Sequence, residues 1–185
     1  VATEADPGPG PTVLVVLGVA GCGKSTVGAL LAERLGWAFE DADDLHAPQA
    51  RAKMAAGHPL TDEDRRPWLL AVAHWADERI AAGESAVVAC SALRRSYRDL
   101  LREGRPQVRM VYLKADRALV AERLTERHGH FFPARLMDSQ FAELEEPGPG
   151  EDVVVVPVGA GPDDSAARTA DTALALLAAE RPDTP

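Results

Sequence analysis

The stretch VLVVLGVAGCGKST, Val13 to Thr26, decides the fold. Val13 to Leu17 is an unbroken apolar run, the mark of a strand buried on both faces. Gly18 to Ser25 then fits G-x-x-x-x-G-K-[ST]. Glycines in such a loop let main-chain N–H groups wrap a phosphate, and the helix that follows adds positive potential at its N-terminus. Val27, Leu30, Leu31 and Leu35 give that helix an apolar face, and Gly36 suits its C-terminal cap. The motif therefore predicts a nucleotide cradle made of Gly18, Val19, Ala20, Gly21, Cys22 and Gly23. Lys24 reaches the β- and γ-phosphates, the Ser25 hydroxyl suits Mg2+, and Thr26 can meet the α-phosphate. Cys22 reads as a small side chain exposed beside phosphate.

Outward from this loop, apolar runs alternate with helical patterns. Strands are predicted at Trp37 to Asp41, Ser85 to Cys90, Val108 to Lys114 and Val153 to Val156. Helices are predicted at Pro48–Ala56, Asp62–Ala82, Arg94–Glu103, Asp116–His128, Ala134–Glu145 and Asp163–Ala179. Five apolar strands separated by helices imply an α/β fold, a five-stranded parallel sheet with helices on both faces. Residues 1–11 and 181–185 read as flexible tails, and 12–180 as one domain.

The composition excludes several classes. The chain has 185 residues and a net charge of −9, and 46% of it is hydrophobic, so it can build a core but has no basic surface for nucleic acid. No apolar run is long enough for a membrane span. VATEADPGPGP lacks the charged and apolar regions of a secretory signal. Two cysteines support neither a disulfide framework nor a four-ligand zinc site. A cytoplasmic protein is expected. Its 20 basic residues include only three lysines, Lys24, Lys53 and Lys114, and that scarcity singles out positions where a compact ammonium matters.

After the second strand comes the acidic turn EDADD, Glu40 to Asp44. Ligands of open α/β sheets bind at the C-terminal ends of strands. Asp41 and Asp43, two apart on an extended segment, share a face. Phosphoryl transfer needs carboxylates for the metal and for the acceptor hydroxyl, and the reading assigns Asp41 to Mg2+ and Asp43 to the hydroxyl.

The blocks GVAGCGKST, DADDLH, KMAAGHPLTDEDRRPWL, CSALRRSYRDLLR, ERHGHFF and SQFAELEEP together resemble the gluconokinase family in order and spacing, over Val13 to Ala179. That family is similar to shikimate and nucleoside monophosphate kinases. The resemblance implies ATP- and Mg2+-dependent transfer of phosphate to the 6-hydroxyl of gluconate, by a single-domain P-loop kinase with a small mobile lid at about 123–135. It implies Asp43, His46, Lys53, Arg65, Arg94 and Arg98 around the substrate. It places Arg123, Arg127, Gly129, His130 and Phe131 in the lid over ATP, with His130 also near substrate. Homodimers are common in the family, although no exposed apolar stripe demands one here. Ala42, Ala47 and Ala50 depart from the family's usual Gly, Pro and Asn, and Arg94 stands where Lys is usual. Acceptor identity is thus less constrained than reaction type. Shikimate, another aldonate or a nucleoside monophosphate are alternative acceptors, and a nucleotide-binding regulator without transfer is the alternative of another class.

Spacing supports part of this independently. Arg94 and Arg98 are i and i+4, as are Arg123 and Arg127, and the apolar positions of both helices push these arginines toward solvent or a cleft. An acidic protein needs local cations to hold an anionic nucleotide and a sugar acid. His74 reads as a packing or surface residue and Trp68 as core.

Overall fold

The computed structural model describes residues 10–128, 134–159 and 165–180. Its strands are β1 (Val13–Leu17), β2 (Ala38–Asp41), β3 (Ala86–Ala89), β4 (Val108–Ala115) and β5 (Val153–Val158). The helices are α1 (Lys24–Leu35), α2 (Pro48–Ala55), α3 (Asp62–Ala81), α4 (Arg95–Arg102), α5 (Arg117–His128), α6 (Ala134–Glu143) and α7 (Ala166–Ala179), with a short 3₁₀ turn at Ala42–Leu45. All strand pairs are parallel, in the order β2-β3-β1-β4-β5.

β1 is central and buried at every residue, which is why its sequence is continuously apolar. β1 pairs with β3 on one side and β4 on the other. The chain thus builds outward in both directions from β1, and the reversal of strand order leaves a crevice at the C-terminal edge. β5 has one neighbour and tolerates Pro157, which lacks the N–H of a central strand.

Two cores cover the two faces. Val27, Leu31, Val120, Ala173 and Leu177 join Leu14, Val16, Val111 and Val156 on one face. Trp68, Leu69, Val72, Tyr97 and Leu101 join Val13, Val15, Val88 and Met110 on the other. Gly28 lets α1 close on β2, since a Cβ there would lie 2.8 Å from the Phe39 ring. α3 begins with a capping box in which Thr61 and Asp64 satisfy each other's main-chain N–H groups.

Candidate active site

The phosphate loop leaves β1 and closes onto α1. Gly18, Gly21 and Gly23 have φ of 149°, 82° and 104°, a backbone that side-chain-bearing residues rarely adopt. Lys24, in the first turn of α1, donates from Nζ to Val19 O at 3.1 Å, so its ammonium folds back over the loop. Ser25 and Thr26 are exposed on the first turn of α1.

Cys22 corrects its sequence reading. Its side chain is fully buried beneath the loop, in the core formed with β1 and α1. Gly18 leaves the room, because a Cβ there would come within 2.8 Å of Cys22 Sγ. Burial pushes the thiol pKa up, against the pull of nearby Lys24. Cys90 is buried too, and desolvation raises its pKa to about 12.

A hydrogen bond joins the acidic turn to the start of α1. Ser25 Oγ donates to Asp41 Oδ2 at 2.5 Å, and Asp41 Oδ1 accepts the Asp43 N–H at 3.0 Å. A hydroxyl and a carboxylate side by side are hard oxygen donors that fit Mg2+. Asp41 and Asp43 do not share a face of extended chain as expected. Asp41 instead caps the 3₁₀ turn that carries Asp43, leaving Asp43 exposed. Trp68 of α3 fixes this turn, donating from Nε1 to Ala42 O at 2.6 Å and stacking on His46 at 4.4 Å between ring centroids. His46 is thereby buried, and desolvation lowers its pKa.

Three predicted substrate cations gather at the start of α3, each already matched by a carboxylate. Lys53 Nζ lies 2.5 Å from Asp64 Oδ2, and the Lys53 and Thr61 hydrogen bonds hold the Asp64 carboxyl down at about 2. Arg65 grips Glu143 with both terminal nitrogens, at 2.5 and 3.1 Å. Arg94, the residue before α4, reaches Asp62 at 2.9 Å, and Tyr97 Oη donates to the other Asp62 oxygen. Burial and Asp62 together raise the Tyr97 pKa.

Arg98 is not among them, which corrects its assignment to substrate. It is fully buried, with Nε and Nη2 on Glu151 at 2.8 and 2.9 Å. Its Nη1 donates to Ala92 O and Leu93 O at 3.2 and 3.1 Å. Ala92 has a φ of 39°, so Arg98 braces a strained turn just before Arg94. Arg94 lies outside the helix proper, and the expected shared helix face does not exist.

Of the residues expected in a lid, Arg123 of α5 donates from Nη1 to Cys22 O at 3.0 Å, which places it on the loop. Arg127 lies on α5, but its side chain, with Gly129, His130 and Phe131, falls outside the described residues. So do most of the expected tails, at 1–9 and 181–185. Sequence reasoning gave no role to Asp62, Gln140, Glu143 or Glu151, whose arginine or loop partners are far off in the chain, nor to Asp64, whose partners Thr61 and Lys53 are near. Among the described residues no group of His, Cys, Asp and Glu forms a metal cluster, and no helix is long and apolar enough to cross a membrane.

A phosphate loop on the central strand of a parallel sheet, with an acidic turn against its serine and a cation cluster beyond, defines a P-loop kinase of small molecules. Residues 20–144 match the model of the shikimate kinase family. Gluconokinase from Gluconobacter oxydans is 49% identical over 146 residues, 79% of this chain and 82% of that one. The thermoresistant gluconokinase of Escherichia coli is 44% identical, covering 79% of this chain and 84% of its own length. The crystal structure of a gluconokinase from Sinorhizobium meliloti superposes with a TM-score of 0.80 at 45% identity, over 91% of this chain and 93% of that one. The chain belongs to the gluconokinase family, whose members use ATP.

Proposed function

We propose that this protein transfers the γ-phosphoryl group of ATP to the 6-hydroxyl of D-gluconate, giving 6-phospho-D-gluconate and ADP. The observation that carries the reading is the Ser25–Asp41 hydrogen bond, which ties the turn bearing Asp43 to the first turn of α1 and so supports a role for Asp43 at the nucleotide. The homology to gluconokinases supports gluconate as acceptor.

Asp43, exposed and anchored through its own N–H, orients the acceptor hydroxyl and takes its proton late, because a loose transition state asks little of the base. Lys24 moves from Val19 O to the transferring oxygens, and Arg123 and Arg127 add positive charge there. Ser25 and Asp41 would hold Mg2+, which would supply positive charge to the nucleotide's phosphates. Arg94 receives the substrate carboxylate. Its partner Asp62 is 61% exposed, so the pair is weak and easily redirected, whereas Arg65 is held by two bonds to Glu143. Lys53, His46 and His130 are assigned to the acceptor site, and the segment at 123–135 to a lid over ATP. The buried, unpaired thiols of Cys22 and Cys90 fit a cytoplasmic protein, and a homodimer is the assembly we expect by sizing chromatography with light scattering.

ADP release measured with gluconate, other aldonates, shikimate and nucleoside monophosphates tests the reading. Gluconate gives the highest kcat/KM. A faster alternative acceptor, or ATP binding without transfer to any of them, overturns it.

A further inference from the structure

Three successive residues of the phosphate loop are each gripped by a side chain from α5 or α6. The Ala20 N–H donates to Gln140 Oε1 at 3.0 Å. A Cβ on Gly21 would lie 2.8 Å from Leu124 Cγ, so Leu124 packs directly against that glycine. Cys22 O accepts from Arg123 at 3.0 Å. Of the three contacts, only the one from Gln140 holds a loop N–H, and it bridges 120 positions of sequence. A main-chain N–H only donates, so the Gln140 atom on it is necessarily the carbonyl oxygen.

We propose that Gln140 is a positioning residue for phosphoryl transfer, fixing the tip of the phosphate loop through the Ala20 N–H. The inference rests on the loop's reading as the ATP site. A main-chain anion cradle works because its dipoles are set before the reaction begins. Loop residues with φ of 82° and 104° have glycine's freedom to drift, so an external tie is what keeps them set. α6 supplies a rigid support for that tie. Met137 and Phe141 pack on the core, the Glu145 N–H donates to Leu93 O at 2.9 Å, and the Arg95 N–H donates to Glu145 Oε2 at 2.7 Å. None of these contacts uses the Gln140 side chain, so its removal leaves α6 in place.

The test compares the full-length wild type with Gln140→Met, which keeps the length and loses the acceptor, and Gln140→Glu, which keeps an acceptor oxygen. Loss of placement at the reacting centre predicts that Gln140→Met lowers kcat about 10- to 100-fold. Its melting temperature and its KM for gluconate stay at wild-type values. At saturating MgATP, Gln140→Glu recovers kcat to within about 3-fold of wild type, since one restored hydrogen bond spans that range, while its added charge raises the KM for ATP. Calorimetric titration with MgATP reads the same joint without any acceptor, with Gln140→Met weakened. That arm stands even if gluconate proves the wrong substrate. Wild-type kcat in Gln140→Met, equal loss of kcat in both variants, or a fall in melting temperature that tracks the loss overturns the proposal.

Discussion

Arg98→Met separates an architectural arginine from a substrate-binding one. The substitution keeps the aliphatic stem and deletes the guanidinium, stranding Glu151, whose side chain is only 6% exposed, without its partner. Breaking one half of a buried ion pair costs about 3–5 kcal/mol, because the remaining charge stays desolvated. The carbonyls of Ala92 and Leu93 lose their donor in the same step. For a chain of this size each kcal/mol moves the melting temperature by about 2–4 °C, so a fall of roughly 6–20 °C is expected by calorimetry. Arg98→Met/Glu151→Met recovers part of that loss, since an apolar pair of similar volume needs no solvation. The KM for gluconate, measured well below the melting transition, rises only as far as the turn bearing Arg94 relaxes. An unchanged melting temperature with a strongly raised gluconate KM would overturn the architectural role and return Arg98 to the substrate.

Lys24→Ala abolishes turnover and leaves the circular dichroism spectrum intact, whereas near-normal turnover removes Lys24 from the chemistry. Asp43→Asn lowers kcat by about 10²-fold, the scale of a lost base and positioner, and steady-state kinetics with an unchanged kcat would exclude that role. Asp41→Asn raises the Mg2+ concentration needed for half-maximal rate, seen in a metal titration at fixed ATP. If the Mg2+ dependence is unaltered, Asp41 does not serve the metal. Arg98 holds the Glu151 carboxyl below its usual range, so its stabilisation is complete above the ordinary carboxylate pKa and is lost as pH falls through the depressed one. Denaturant melts should therefore show wild type losing more stability than Glu151→Gln on acidification, and parallel loss in the two proteins contradicts the assignment.

β1, β3 and β4 were legible because burial on both faces demands apolar runs. β2, with no buried residue, and β5, buried at alternate positions, do not follow that rule. Only Val13–Leu17 needed to be central to place the loop. Helix boundaries fell within a few residues wherever a proline, a cap or a glycine marked them, as at Pro48, Thr61 and Gly36. The spacing rule failed at Arg98. Periodicity sees the neighbours on one helix, but Glu151 comes from the turn before β5, 53 positions away, and no local pattern announces it. Cys22 was misjudged because the loop motif says nothing of which way a small side chain turns, and it is Gly18 that opens the space inward. Lysine scarcity is a weak guide, since Lys53 and Lys114 are both taken up by carboxylates. Lys114 pairs with Glu146 at the surface, where an arginine would serve as well.

The outermost position of β5 has a consequence for the protein in concentrated solution. The margin of a sheet is a template on which another molecule's chain can add by main-chain pairing. Here that margin carries the half-exposed Val155, a residue that would favour such adhesion, two positions before Pro157. With no N–H to offer at 157, an incoming chain cannot extend a regular ladder past it. The imino acid acts as a gatekeeper against fibrillar stacking along that margin.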